Sequence, residues 1–466
     1  MTSTIEKQFN YKKLLDRFPL ITDIYKKCNR FTSSIFNSYG KINYDNVYAI
    51  GDIHGDYNAL KQILLFIKCI IIDNGIIKWN PLAINTCIVQ VGDILDGYRP
   101  GIEISENYKS RDIDIINLLL SLNDEAKQYN SRIILLYGNH EINGLFNIID
   151  DIKLSNYQYS IKNYTIENAV EFNKQLKLLK DRILCEYHSV AIVNSYIFCH
   201  SGLILKIIKN LLELFEIPFN EYIQLEDKDK LYLINICATG LLNFILTNGT
   251  KTDEYINQYK YILLQLFQHR EYKKIIYPIK DLNPIDKYML KNNTSASNML
   301  LNTKGMVIGH NIILNYKINN LENILYGIDN KISEGFGDIN DYYQILKIEK
   351  DKEPEIVNVL NYKFNKDNTI QKSFFDLSTH KTDLDKKVNE TESESLLVQS
   401  SDNKSIKKVV SDFDSEHNQP SSEKKVADVP KKDHIQSHSS EQPDSQYTLQ
   451  SPPPSPRIRF ISIEDN

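Results

Sequence analysis

The chain lacks several things that would place it quickly. Its 466 residues hold one Trp and no Cys-x-x-Cys pair. There is no excess of positive charge, since 55 Lys+Arg stand against 60 Asp+Glu for a formal net charge of −5. Without a basic face, a dedicated nucleic-acid binder is not expected. No long apolar run is present either. The most apolar stretch, 63–72, is broken by Lys68 and falls short of the ~20 residues that span a bilayer, so no membrane association is expected. The opening Met1-Thr2-Ser3-Thr4-Ile5-Glu6-Lys7 has no charged-then-apolar leader pattern, and a cytoplasmic location is expected. The six cysteines (Cys28, Cys69, Cys87, Cys185, Cys199, Cys237) are scattered, most of them in apolar runs. Free, buried, reduced thiols are the expectation for all six.

What is present is a globular composition, 42% hydrophobic and 25% charged, with length for about two or three domains. Composition changes sharply near residue 365. Beyond it, Ser, Lys, Glu, Asp, Gln and Pro dominate, too few apolar groups to offset the entropy of ordering, so 366–466 is expected to be a disordered tail. Residues 1–40 are expected to form a helical extension ahead of a catalytic domain at 41–365.

Within that domain, short apolar strands each run into a polar, Gly-containing turn. The segment 47–50 leads into Gly51-Asp52-Ile53-His54-Gly55-Asp56, and 87–91 into Gly92-Asp93-Ile94-Leu95-Asp96-Gly97. Then 133–137 leads into Gly138-Asn139-His140-Glu141, a hairpin at 191–199 into His200-Ser201-Gly202-Leu203, and 306–308 into Gly309-His310-Asn311. Helical periodicity fills 57–68, 113–129 and 166–181. Strands alternating with helices predict an α/β sheet whose ligands bind beyond the carboxyl ends of the strands. Alternating segments at 342–348 and 356–362 add late strands and a second sheet packed on the first.

Any one such turn is ordinary turn chemistry. Together they offer Asp52, His54, Asp93, Asn139, His200 and His310: oxygen and nitrogen donors without a thiolate, a set suited to two divalent ions such as Mn, Fe or Zn. Asp93, on the middle turn, is the natural bridge, because paired ions lie ~3.5–4 Å apart and share a ligand. Such a pair binds a phosphoryl oxygen and activates a water for in-line displacement. Departure of the leaving group needs a proton donor. His140 is placed for it, with Asp96 to hold and orient the ring.

These five blocks resemble, in order over about 51–310, the signature of the phosphoprotein phosphatase family of calcineurin-like metallophosphoesterases. The resemblance implies a four-layer α/β/β/α sandwich. It implies Asp52 and His54 on the first metal, Asp93 as bridge, Asn139, His200 and His310 on the second metal, and His140 as general acid supported by Asp96. Phosphodiesterase-type relatives follow their last Gly-His with a second metal-binding His two residues on, where this chain has Ile312. The Asn-His-Glu ending is closer to the protein-phosphatase branch than to the diadenosine tetraphosphatase branch.

The chain also departs from the family pattern. An Arg that grips the substrate phosphate normally follows Asp96 directly; here the order is Asp96-Gly97-Tyr98-Arg99, and Arg99 is the candidate to reach back. Gln268-His269-Arg270-Glu271-Tyr272 resembles the aromatic-x-Arg-x-aromatic segment of bacterial-like members, making Arg270 a second phosphate-binding candidate. The late Ser-Ala-Pro-Asn-Tyr-Cys segment of eukaryotic members is absent, and Asp329, in Gly327-Ile328-Asp329, is read as a structural or rim residue. His188, on an apolar strand flank, is read as a structural histidine with its hydrogen bonds satisfied.

The stretch 204–304 reads as a helical insert capping the sandwich. In the tail, Arg457-Ile458-Arg459-Phe460 fits the basic-Val/Ile-x-Phe pattern by which partner tails add a strand to phosphatase catalytic subunits. Four-residue patterns recur often by chance, and docking of a protein partner there is the alternative to a chance match. The resemblance thus implies a metal-dependent serine/threonine-protein phosphatase acting on phosphoprotein by direct attack of metal-bound hydroxide. A dinucleoside polyphosphate hydrolase and a weakly active scaffold with a partner-recruiting tail are the alternatives.

Overall fold

A computed structural model describes residues 19–28, 43–97, 110–149, 166–249, 254–313, 317–333 and 341–361. Arg99 and everything expected of the tail lie outside these residues.

The first sheet has the order β13-β12-β1-β4-β5-β6. Its centre is parallel: β1 (Asn46–Ile50), β4 (Thr86–Gln90), β5 (Arg132–Leu136) and the short β6 (Tyr187–His188). Both late strands, β12 (Tyr342–Glu349) and β13 (Glu355–Leu360), join this same sheet antiparallel beside β1. The expected second sheet exists, but other strands build it. It has the order β10-β11-β9-β8-β7, with β7 (Val190–Val193), β8 (Tyr196–Cys199), β9 (Gly305–Ile308), β10 (Asn319–Leu321) and β11 (Leu325–Gly327). A small hairpin of β2 (Ile70–Asp73) and β3 (Ile76–Trp79) stands apart. Its first strand includes the end of the apolar run that length alone had ruled out as a membrane span.

Strand alternation explains why the sheets stack. Val47 and Ala49, Cys87 and Val89, Ile134 and Leu136, Ala191 and Val193, and Tyr196 and Phe198 point into one shared inter-sheet core. The intervening Ile50, Ile88, Ile133, Leu135, Ile192 and Ile197 turn outward into a second core packed under helices. Each aliphatic so enclosed contributes roughly 1.5–3 kcal/mol. Helices α1 (Pro19–Cys28), α2 (Tyr57–Phe66), α3 (Asp112–Ala126), α4 (Asn139–Ile149), α5 (Ile166–Glu186), α6 (Leu205–Leu214), α7 (Phe219–Tyr222), α8 (Asp227–Asn248), α9 (Glu254–Gln268) and α10 (Pro284–Leu300) cover the outer faces. The layering is α/β/β/α.

Two features differ from expectation. Helix α8 is long and apolar enough by composition to cross a membrane, yet most of its surface is buried inside the protein, under α1, α5, α6 and α9. And two cysteines are not free thiols. Ile21, Ile24 and Cys28 form the buried stripe of α1, and that packing brings Cys28 to Cys185 of α5, with Cα atoms 5.0 Å apart, in a disulfide. Cys69, Cys87, Cys199 and Cys237 are free and buried.

Candidate active site

Because β1, β4 and β5 run parallel in one sheet and β8 and β9 parallel in the other, their carboxyl ends share one edge of the sandwich. Every turn singled out in the sequence ends there. The backbone at this edge is unusual: His54, Asp93, Asp96 and His310 all adopt positive φ, between 43° and 66°, a conformation uncommon outside Gly, Asn, Asp and His and concentrated at functional sites. Gly92 permits the closest approach. Its φ is +98°, and a Cβ there would stand 2.6 Å from the Gly138 nitrogen and 2.9 Å from the His200 ring.

Two sets of side chains bring their ligand atoms within 4.8 Å of one another: His54, Asp93 and His140, and Asp93, His200 and His310. Asp93 belongs to both, the placement a bridging carboxylate needs. Its Oδ2 lies 3.3 Å from His200 Nε2 and 3.8 Å from His54 Nε2 and from His140 Nε2. Asp52 stands behind these sets, its carboxylate accepting the His310 backbone N–H at 3.0 Å.

The tautomers make this a cation site. His54 Nδ1–H donates to the Leu95 carbonyl and His200 Nδ1–H to the Val91 carbonyl, each at 2.8 Å. Both neutral rings therefore turn an Nε2 lone pair inward. His200 Nε2 faces Asn139 Oδ1 at 3.1 Å as well as Asp93, and acceptors gathered this way repel one another unless a cation or a proton stands among them. In the metal-free protein the proton serves. Burial opposes the charged form of His200, but the Asp93 carboxylate outweighs it and raises the pKa. Asp93 mirrors this: burial pushes it up, and His200, His140 and His54 together pull it below the usual range. His310 is different. Burial, then His200 and Arg270, drive its pKa to about 2. Its neutral ring leaves Nε2 buried with no hydrogen-bond partner among the described residues, a free nitrogen donor. The residues fit divalent metal ions.

His140 is set apart from these donors by a strong bond. Its Nδ1–H donates to Asp96 Oδ2 at 2.6 Å, and its backbone N–H donates to Asp93 Oδ1 at 3.0 Å. His140 and Asn139 are partly exposed, whereas Asp52, His54, Asp93, His200 and His310 are buried, so the cluster opens to solvent on the His140 side. Arg270 follows the end of α9, and its Nη1 reaches the His310 carbonyl at 3.3 Å and Asn311 Oδ1 at 3.4 Å. It therefore stands at the rim of the cluster.

Some supporting residues were not read as functional from the sequence. Glu141 is buried, and its carboxylate accepts N–H groups from Asp93, Ile94, Leu95 and Gly138 at 2.7–3.1 Å. One side chain thus clamps two catalytic turns together. The signal was the Glu that ends the Asn-His-Glu block. His269 donates from Nε2 to the Gly202 carbonyl at 3.1 Å, and Ser201, Tyr272 and Ser297 tie the same turn to the helical segment. These bonds carry Arg270 to the site. His188 is buried as expected, but its Nε2 has no partner among the described residues. The reading of a satisfied histidine is therefore corrected.

The class follows from sheet order, strand-end cluster and sequence together. Residues 46–251 match the family model described as calcineurin-like phosphoesterase, and the chain carries a calcineurin-like metallophosphoesterase domain. Over 211 residues it is 33% identical to Shewanella-like protein phosphatase 1 of Plasmodium berghei (strain Anka), covering 43% of this chain and 51% of that protein. The chain thus spans about half the length of this curated relative. Among solved structures, the cold-active protein-tyrosine phosphatase of a psychrophilic Shewanella is 16% identical with a TM-score of 0.44, over 69% of this chain and 83% of that one. A protein serine/threonine phosphatase from Saccharomyces cerevisiae is 11% identical with a TM-score of 0.36, over 76% and 91%. Both likenesses are loose.

Proposed function

We propose that the chain is a phosphomonoesterase that dephosphorylates phosphoserine, phosphothreonine or phosphotyrosine in proteins. The observation that carries this reading is the His140–Asp96 pair at 2.6 Å, set on the open side of a buried Asp93 cluster. The 33% identity to a protein phosphatase supports phosphoprotein as the substrate class.

Two divalent ions (Mn, Fe or Zn) held by Asp52, His54, Asp93, Asn139, His200 and His310 would polarise the phosphoryl group and activate the attacking water. The chain's own residues do the rest. Asp96 holds His140 Nδ1–H, which fixes the ring and favours its protonated form, so that Nε2 delivers a proton to the departing alcohol oxygen. Arg270 offers the planar, two-pronged donor set that suits a phosphate. Arg99 is proposed as a second phosphate contact from its place in the sequence, three residues after Asp96.

The test is turnover by the full chain of p-nitrophenyl phosphate, a phosphopeptide and a dinucleoside polyphosphate, with Mn²⁺ and with EDTA. Phosphopeptide hydrolysis that needs Mn²⁺ and stops in EDTA is expected. Turnover of the polyphosphate alone would replace the reading with a nucleotide hydrolase. Folded, metal-loaded protein that turns over none of the three would replace it with a scaffold.

A further inference from the structure

Helix α10 is built inside out. In a soluble protein a helix normally turns its apolar stripe inward and its polar face to water. The buried side of α10 holds Leu290, Thr294, Ser297 and Asn298. Its outer side holds Ile285, Tyr288 and Met289, which share a face at i, i+3 and i+4 and are 71%, 66% and 51% exposed. Met299, eleven residues after Tyr288 and so on the same face, is exposed as well. The inner side is polar for a local reason: Ser297 Oγ–H donates to the Leu203 carbonyl at 2.6 Å, beside the Tyr272 hydroxyl on the same acceptor. That side fixes the turn after His200, and the large apolar groups are left facing water.

Two contacts join this outer face to the catalytic rim. Arg270 leads into the short turn Lys273–Ile276, which packs on α10. The Lys273 N–H donates to the Arg270 carbonyl at 2.9 Å, and Lys274 Nζ pairs with Asp286, next to Ile285, at 3.3 Å. Tyr277, just past the turn, is exposed too. These steps set the reach from Arg270 to Ile285 at roughly 15–25 Å, about five to eight residues of extended chain at ~3.3 Å each. Arg270, Lys273 and Lys274 outnumber Glu271 along the way, and all four are exposed.

Size, composition and charge select the occupant. Four exposed side chains on and beside one helix fall short of the ~800 Å² that each partner of a stable complex buries, which argues against a second copy of the chain. Tyr and Met are enriched where proteins meet, and Met adapts to varied surfaces. A phosphoresidue gripped by Arg270 lays its own polypeptide along a basic path that ends at this apolar face.

We propose that the outer face of α10 is a substrate-docking surface, taking an apolar residue of the phosphoprotein about five to eight residues from the phosphorylated one. This rests on the phosphoprotein reading above. Ile285, Tyr288 and Met289 hold the substrate chain, and touch neither the phosphate nor the metal donors.

The experiment uses the full chain in Mn²⁺ and two synthetic phosphopeptides. One carries Leu and Phe about five to eight residues to either side of the phosphoresidue; the other carries Ser and Gln there. Wild type and the double variant Ile285→Ser, Tyr288→Ser are compared, with p-nitrophenyl phosphate as a substrate too small to reach α10. Wild type should favour the apolar peptide about tenfold or more in kcat/KM, through KM, as contacts of this kind do. The double variant should treat both peptides alike, with p-nitrophenyl phosphate turnover unchanged. No preference in wild type would overturn the proposal, as would a preference that survives in the variant. An equal fall in p-nitrophenyl phosphate turnover would also overturn it, since the substitutions would then act through the fold. Wild type that sediments as a dimer, becomes monomeric in the variant and treats both peptides alike would assign the face to a second copy. If neither peptide is hydrolysed while p-nitrophenyl phosphate is, the phosphoprotein reading fails, and the docking surface with it.

Discussion

The two sheets contribute to the cluster in different ways. On the first-sheet side the turns are held by the protein itself. Glu141 fastens the 92–95 and 138–141 turns through four N–H groups, Leu95 orients His54, and Asp96 orients His140. On the second-sheet side, buried polar atoms lack partners among the described residues: His310 Nε2, Asn311 Nδ2 and Asp329 Oδ1. Buried polar atoms are almost always paired in folded proteins, so a cluster of exceptions asks for an explanation, and a cation supplies one for His310. One half of the site is preorganised by hydrogen bonds. The other half is completed by what it binds.

The largest expected effect tests the preorganised half. His140→Asn removes the proton donor but none of the six metal donors. We expect kcat to fall on the order of 10²–10⁴-fold, with metal content by elemental analysis unchanged. Equal activity would remove His140 from the mechanism and weaken the claim that this half is built for proton delivery.

A paired substitution attacks the comparison itself. Glu141→Ala strands buried N–H donors and should cost about 3 kcal/mol or more, equally in EDTA and in Mn²⁺, because the clamp is protein-made. His310→Asn should instead lose metal-linked stabilisation, about 2.7 kcal/mol per ion at hundredfold saturation, with a smaller change in EDTA. Urea unfolding of both variants under both conditions decides it. Should the two variants behave alike, the division between a self-held half and an ion-completed half fails.

Much of the site was legible in the sequence because each donor sits in a short block whose Gly, Asp, Asn and His residues mark a strand end. Asp52, His54, Asp93, Asp96, Asn139, His140, His200 and His310 could be assembled from local pattern and chain order alone. What escaped depends on tertiary contact. The four acceptor bonds of Glu141 cross 46 to 48 residues in all but one case, so the block shows the carboxylate but not the turn it clamps. Asp329 lies two residues past a three-residue strand too short to announce itself by alternation. The late strands alternate clearly, but pairing partner is not a local property, and β12 chose β1. The Cys28–Cys185 bridge spans 157 residues, and only the seating of α1 on α5 makes it.

His188 sharpens the comparison, since its Nε2 is buried without a partner among the described residues although it lies on the first-sheet side. No ion explains it. It lies on β6, its backbone carbonyl accepts the Tyr137 N–H at 2.9 Å, and burial, with Arg132 adding to it, lowers its pKa from 6.5 to about 3. The native state therefore refuses a proton that the unfolded chain accepts below its ordinary pKa. Stability from this residue is full above pH 6.5 and is lost as pH falls from there toward 3. The slope approaches about 1.4 kcal/mol per pH unit. His188→Asn should remove that slope, so that the stability difference between variant and wild type shifts in the variant's favour on acidification, in EDTA and in Mn²⁺ alike. A difference that stays flat between pH 7 and pH 5 would mean that His188 takes up a proton in the folded state. A slope that changed with Mn²⁺ would instead join it to the ion-completed half and blur the boundary between the two.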